Sequence, residues 1–282
     1  MLYSILLTHH LDRTKINNTY DCGGRFGNIF IRNLVAEHIA QKNNLYMTYD
    51  RYDEMKRLGI QLFIGTNTYE ETLWITDENI DSIIFEETVF DQYAKHRNLF
   101  FRQTMYNPFH ANEYAWCQTS SIASHIRNII NQNQRIVLHN PYQKRYNKNN
   151  DLFIHVRLGD IVEHQFHLEY EYYDRAIQTI YESDAYRNNV HSNNVSYITS
   201  DSINHEICQR LIQKYQLVIS DRDEIDTLQF GSTCQHILLS QGTFSWLIGL
   251  VSFYSHVYYP KMKVKWHGNI FVFPDWHSLE SN

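Results

Sequence analysis

The chain has 282 residues, of which 43% are hydrophobic and 15% aromatic. That suffices for one large or two medium domains with real cores, and it excludes a disordered chain. The formal net charge is −6 with no basic block, which argues against nucleic acid as a partner and leaves room for a small anionic ligand held by a few local cations.

In chain order, "MLYSILLTHHLDR" opens with an apolar run shorter than the roughly 7–15 residues of a signal h-region or the about 20 of a spanning helix. It predicts a first strand. "CGGRFGN", Cys22 to Asn28, is a glycine-rich turn whose residues permit close backbone approach to a ligand. Taken alone it is a turn with Asn28 as N-cap, since it matches neither GxGxxG nor a P-loop. "GNIFIRNLVAEHIAQKN" predicts a helix with Ile31, Leu34, Val35 and Ile39 facing inward. "LYMTYD" and "IQLFIG" predict strands, and "SSIASHIRNIINQN" a helix. "NPYQKRYNKNN", residues 140–150, is polar, contains proline and lacks periodicity, which predicts a linker.

Beyond it the pattern sharpens. "DLFIHV", "NVSYIT", "QLVIS", "HILLS" and "HVYYP" predict strands. They alternate with helical patterns in "EYEYYDRAIQTIYES", "SINHEICQRLIQKY", "DEIDTLQFGSTC" and "SWLIGLVSFYS". Tyr173, Ala176, Ile177 and Ile180 mark one inward face, and Ile203, Ile207, Leu211 and Ile212 another. Such alternation is the signature of a parallel sheet covered by helices. The expectation is an α/β protein of two Rossmann-like lobes, residues 1–140 and 150–282, with a cleft between them. Cys22, Cys117, Cys208 and Cys234 form no CxxC pair, so a reducing, cytoplasmic setting is the simpler reading.

Ligands of open α/β sheets bind beyond the carboxyl ends of the strands. Three predicted strand ends carry polar groups: Arg157 and Asp160 after "LFIHV", Asp201 after "VSYIT", and Thr243 and Ser245 after "HILLS". The Arg157 guanidinium is a fixed fork of donors suited to phosphate. Thr243 and Ser245 lie at a helix start, where free N–H groups favour an anion. Together they describe a metal-free diphosphate site, against the plainer reading of a loop salt bridge for Arg157 and Asp160 and helix caps for the others.

Those residues carry a resemblance. "HVRLGD" resembles the HxRxGD motif of the α-1,2-fucosyltransferases and of their α-1,6- and protein O-fucosyltransferase relatives. "GGRFGN" is similar to the glycine turn of the protein O-fucosyltransferases. "EYEYYDRAI", "YITSD", "DTLQFGSTCQHILLSQGTFSWLIGLVS" and "YYPKMKVKW" resemble later family segments in the same order. Departures are Ile29 after the glycine turn, and Gln241, Gly242 and Leu247 in the "QGTFSWL" stretch. The resemblance implies a two-lobed GT-B glycosyltransferase transferring fucose, with inversion and without a required metal or resident cofactor, from GDP-fucose to a glycan hydroxyl. It implies that Arg157 holds the β-phosphate of the departing GDP while His155 and Asp160 shape the same site. Thr243, Phe244 and Ser245 would contact the diphosphate and nucleoside, with Asp201 near the nucleotide. Gly24, Arg25, Gly27 and Asn28 would border the sugar, and the first lobe would select the acceptor. Inversion ordinarily needs a base for the acceptor hydroxyl. Glu163 ranks ahead of His164 and Asp21.

Rival readings are fewer. Asp221-Arg222-Asp223 is a DxD, a triplet that elsewhere holds a divalent cation. His164, His167 and Glu169 could suggest a metal site without an evident fourth ligand. A transferase using another nucleotide-sugar, or a non-catalytic nucleotide- or glycan-binding protein on the same scaffold, stands as the alternative.

Overall fold

The computed structural model describes residues 25–101, 116–188, 194–261 and 268–281. The expected first strand in "MLYSILLTHHLDR", with Asp21 and Gly24, lies outside these, as does most of "KMKVKW". The opening helix α1 (Phe26–Asn43) forms, with Ile31, Leu34, Val35 and Ile39 all buried. Then come α2 (Tyr52–Arg57), the short strand β1 (Thr72–Ile75), α3 (Ile80–Phe85), α4 (Glu87–Val89) continued by a π turn to Ala94, and β2 (Asn98–Phe101). β1 and β2 pair in parallel, with Trp74 opposite Phe100.

The expected strands in "LYMTYD" and "IQLFIG" do not form. Leu45 and Met47 are buried while Tyr46 is exposed, so the period-2 pattern is real. It reflects extended chain, tied by isolated bridges such as that between Leu45 and Asn67, and not a ladder. Alternation fixes which side chains point inward; a strand also needs a partner in register.

α5 (Ser120–Gln132) is capped by Thr119, whose hydroxyl accepts from the Ile122 N–H. α6 (Arg135–Leu138) leads into the expected linker. That segment is a packed connector instead. Asn140 is 2% exposed, and its amide donates to Gln229 O and to the Tyr146 hydroxyl. Asn150 is fully buried, bonded to Tyr186 O and to His236. Asn140 and Asn150 serve as buried hydrogen-bonding hardware, which polarity alone does not distinguish from a solvated tether.

From there the chain follows the expected alternation: β3 (Leu152–Val156), α7 (Tyr170–Glu182), α8 (Asp184–Arg187), β4 (Ser196–Ser200), α9 (Glu206–Tyr215), β5 (Val218–Ile219), α10 (Glu224–Gly231), β6 (His236–Leu238), α11 (Thr243–Leu250), β7 (His256–Lys261) and β8 (His277–Glu280). The six strands form one sheet in the order β5-β4-β3-β6-β7-β8, and every neighbouring pair is parallel. β3 is buried along its whole length, the mark of a parallel strand covered on both faces. Tyr172, Tyr173, Ala176, Ile177 and Ile180 of α7 pack on it with Leu211 of α9. The fold is α/β with a parallel sheet.

Contacts group the described chain into two compact units. Residues 32–50 and 62–101 fall in one; residues 25–31, 51–61 and 116–281 fall in the other. The expected boundary at 140–150 falls inside the second unit. The start of α1, the segment 51–61 and α5 thus cluster with the six-stranded sheet.

Candidate functional site

Strand order locates the site. From β3 the chain steps to β4 and β5 on one side, and then to β6, β7 and β8 on the other. The switch point therefore lies beyond the carboxyl ends of β3 and β6, where loops leave in opposite directions and open a crevice. Leu152, Phe153 and Ile154 pair with His236, Ile237 and Leu238, so β6 ends beside Ile154 and β3 runs on to Val156. β4 flanks β3 on its other edge. The three polar strand ends read from sequence are neighbours on one edge.

Arg157, Asp160, Asp201 and Arg25 form a closed ring of alternating charge. Arg25 donates from Nη1 to Asp201 Oδ2 at 2.8 Å and from Nη2 to Asp160 Oδ1 at 3.3 Å. Arg157 pairs with the same two carboxylates. Asp201 is further fixed by the Leu158 N–H, 2.9 Å from Oδ1. It does not cap a helix, because α9 starts only at Glu206 with His205 as its cap. Gly159 sits at φ 37°, and a Cβ there would lie 2.5 Å from Asp201 Oδ2 and 2.7 Å from Arg157 Nη1. Only glycine lets the backbone pass this close to the ring. The Arg157 side chain is 10% exposed, against 65% for Asp160. Burial, and then the Arg25 charge, lower the Arg157 pKa below the ordinary arginine value. Asp160 is the member that an incoming anion can displace.

Two helix starts meet beside this ring. A Cβ on Gly27 would lie 2.7 Å from Phe244 N and from Thr243 C, so the first turns of α1 and α11 touch backbone to backbone. Asn28 is not the N-cap of α1, which begins at Phe26. Its Oδ1 instead accepts from the Thr243 hydroxyl at 2.7 Å and from the Gln118 amide at 3.0 Å, tying the two starts together. Gly242, at φ 95°, precedes α11, and no side chain caps that helix. Unbonded first-turn N–H groups and the dipole favour negative charge there.

His155 lies behind the ring. Burial, with Arg157 and Arg25 nearby, holds its pKa down to about 3, so the imidazole is neutral. Its Nδ1 lies 2.5 Å from Ser245 Oγ, which in turn accepts from the Ser240 N–H at 3.0 Å. The Ser245 hydroxyl thus holds the imidazole by Nδ1 and is itself held by the Ser240 N–H. Neither Thr243 nor Ser245 acts as a cap. Phe244 sets its ring edge-on to His155 at 5.4 Å.

The other expected residues form no described bond with this group. Glu163 is exposed in the turn beyond Asp160. Asp223 caps α10 through the Asp226 N–H at 2.7 Å and pairs with Arg57 at 2.8 Å, which gives its carboxylate structural partners. His167 lies 3.7 Å from Glu169. Among the described residues, no group of three or more His, Cys, Asp or Glu is disposed to hold a metal ion. A cleft of about 430 Å³ lined by Arg127, Asn131, Tyr254 and Asp275 sits at the other end of α11 and contains none of the expected site residues.

Sequence reasoning missed the supports. The Tyr172 hydroxyl donates to Leu239 O at 3.0 Å, and the Tyr173 hydroxyl bonds Ser240 Oγ at 2.7 Å, so α7 braces the segment leading from β6 to Thr243. The adjacent tyrosines of "EYEYY" were the available signal, since buried tyrosine hydroxyls find partners. Gln118 carried no signal, being one glutamine before a helix. Comparison with protein-family models finds no match, and comparison with curated proteins finds none either.

Proposed function

We propose that the chain is a glycosyltransferase of GT-B architecture that transfers fucose from GDP-fucose to a glycan hydroxyl, inverting and without a metal. One observation supports a diphosphate site: two arginines and two helix starts converge at the switch point of a parallel sheet, where an anion can take the place of an aspartate partner. The donor, the sugar and the inversion are what the resemblance of "HVRLGD" and "GGRFGN" implies. In the proposed reaction the bond from the sugar C1 to the β-phosphate oxygen breaks, and GDP leaves with its electrons. The acceptor oxygen bonds to C1 from the opposite face, and its proton passes to the Glu163 carboxylate. Arg157 meets the charge that grows on the leaving phosphate, displacing Asp160 as its partner. Being already buried and ion-paired, its guanidinium needs little reorganisation to do so. Neutral His155, held by Ser245, backs the site without adding a charge to it.

The reading is tested by incubating the protein with a panel of GDP-sugars and neutral methyl glycosides in EDTA, with proton NMR of the product's anomeric centre. The expected product is an inverted fucoside, with kcat lower by roughly 10²–10³ in Arg157→Ala. Turnover that needs a divalent cation would count against the metal-free site, and GDP binding without turnover of any donor would favour a binding protein.

A further inference from the structure

The loop that joins the arginine ring to α7 carries an aromatic ring that the diphosphate site does not use. Phe166 is 49% exposed. Isolated exposed aromatics are ordinary on protein surfaces; what sets this one apart is that its loop is fixed. The Phe166 N–H donates to Ile161 O at 3.1 Å, and Gln165 N–H donates to Val162 O at 3.0 Å. Gln165 adopts φ 56°, turning the next residue outward. The Phe166 carbonyl accepts from the side-chain amide of Gln241, which is itself fully buried beyond β6. Ile161 and Leu168 anchor the loop at either end, each 5% exposed. The backbone of Phe166 is bonded on both sides, so the loop that carries the ring is held in one path.

Gln241 stands two residues before Thr243, and Asp160 directly precedes the loop, so the loop carrying Phe166 borders the switch-point crevice. Glu163 and His164 are exposed in the same loop, and the His164 ring lies 6.2 Å from that of Phe166. An aromatic face beside a carboxylate and an imidazole suits one class of ligand. A neutral sugar ring offers an apolar C–H face to stack and hydroxyls to hydrogen-bond. A second phosphate would be repelled by Glu163.

We infer that Phe166 is the stacking face for the acceptor sugar, held in place by Gln241. This rests on the transferase reading and adds a specificity-determining residue to it. The test combines calorimetry of GDP with NMR saturation-transfer titrations of methyl galactoside, methyl glucoside and methyl N-acetylglucosaminide in the presence of GDP. The proteins are wild type, Phe166→Ala and Phe166→Tyr. The expected result is unchanged GDP affinity in all three and glycoside affinity weakened roughly tenfold in Phe166→Ala and restored in Phe166→Tyr. Equal loss of GDP affinity in Phe166→Ala would make the ring a nucleobase seat and overturn the inference. So would glycoside binding that ignores the substitution, or GDP binding to wild type with no glycoside bound. If GDP fails to bind wild type, the transferase reading itself falls, a result distinguishable from the others.

Discussion

At the scale of single residues, the two aspartates of the charge ring differ sharply. Asp201 is fixed by a backbone N–H and both arginines, whereas Asp160 is largely exposed. An exposed ion pair is worth about 0–1 kcal/mol, whereas a carboxylate that bonds a backbone N–H and a mostly buried arginine contributes more. Asp201→Ala is therefore expected to lower the urea midpoint of unfolding well below that of Asp160→Ala; equal midpoints would show that Asp201 does not hold Arg157. Gly27→Ala drives a methyl group into the backbone of α11. Overpacking of this kind costs about 1–3 kcal/mol, and here the obstacle is main chain, which cannot rotate away. A lower melting temperature with weakened GDP binding is the expected outcome.

These residues were legible in sequence to different degrees. Arg157, Asp160, Asp201, Thr243 and Ser245 stood out because charged and hydroxyl groups at strand ends are chemically conspicuous. Their pairing was not legible, because it depends on β4 and β6 both lying against β3, and strand order leaves no local mark. Asn28 looked like a cap, since asparagine before a helix usually is one. Its actual partners, Thr243 and Gln118, are far away in the chain. Gly24 lies outside the described residues.

At the scale of elements, histidines cross the sheet at the amino ends of β6, β7 and β8. His236 stacks on His256 at 5.2 Å, and His256 lies 6.1 Å from His277. Burial, with His256 and His277 nearby, holds the His236 pKa down to about 4 from an ordinary 6.5. The unfolded chain then binds a proton that the folded chain refuses, so stability is complete above about pH 6.5 and is lost as pH falls toward 4. His155, held at about 3, acts in the same direction. Each such group costs up to about 1.4 kcal/mol per pH unit in this window. A urea midpoint lower at pH 5 than at pH 7.5, with the difference reduced in His236→Gln, is expected. The cap of α10 gives a second prediction. Asp223→Ala is expected to cost about 1 kcal/mol of stability and to leave GDP binding unchanged both in EDTA and with magnesium added; loss of a magnesium-dependent gain in binding would revive the cation reading of Asp221 and Asp223.

Elements with strong periodicity were the legible ones. α1, α5, α7 and β3 formed where expected, because their apolar spacing matches the faces they bury. β1, β2 and β8 were missed. Each has four residues, too few to show a period, and β8 is mostly exposed, as an edge strand can be.

At the scale of the whole molecule, the parallel α/β sheet and its switch point bring together groups from three strand ends and the start of α1. Among the described residues, no helix is long and apolar enough to cross a membrane. The central claim is that this assembly binds a nucleoside diphosphate through Arg157 without a metal. Its most direct test is calorimetric titration of GDP and of UDP, with EDTA present, on wild type and on Arg157→Ala. GDP binding that exceeds UDP binding, needs no metal and weakens at least tenfold in the variant is the result expected. GDP that does not bind, or UDP that binds only when a divalent cation is restored, would contradict the claim.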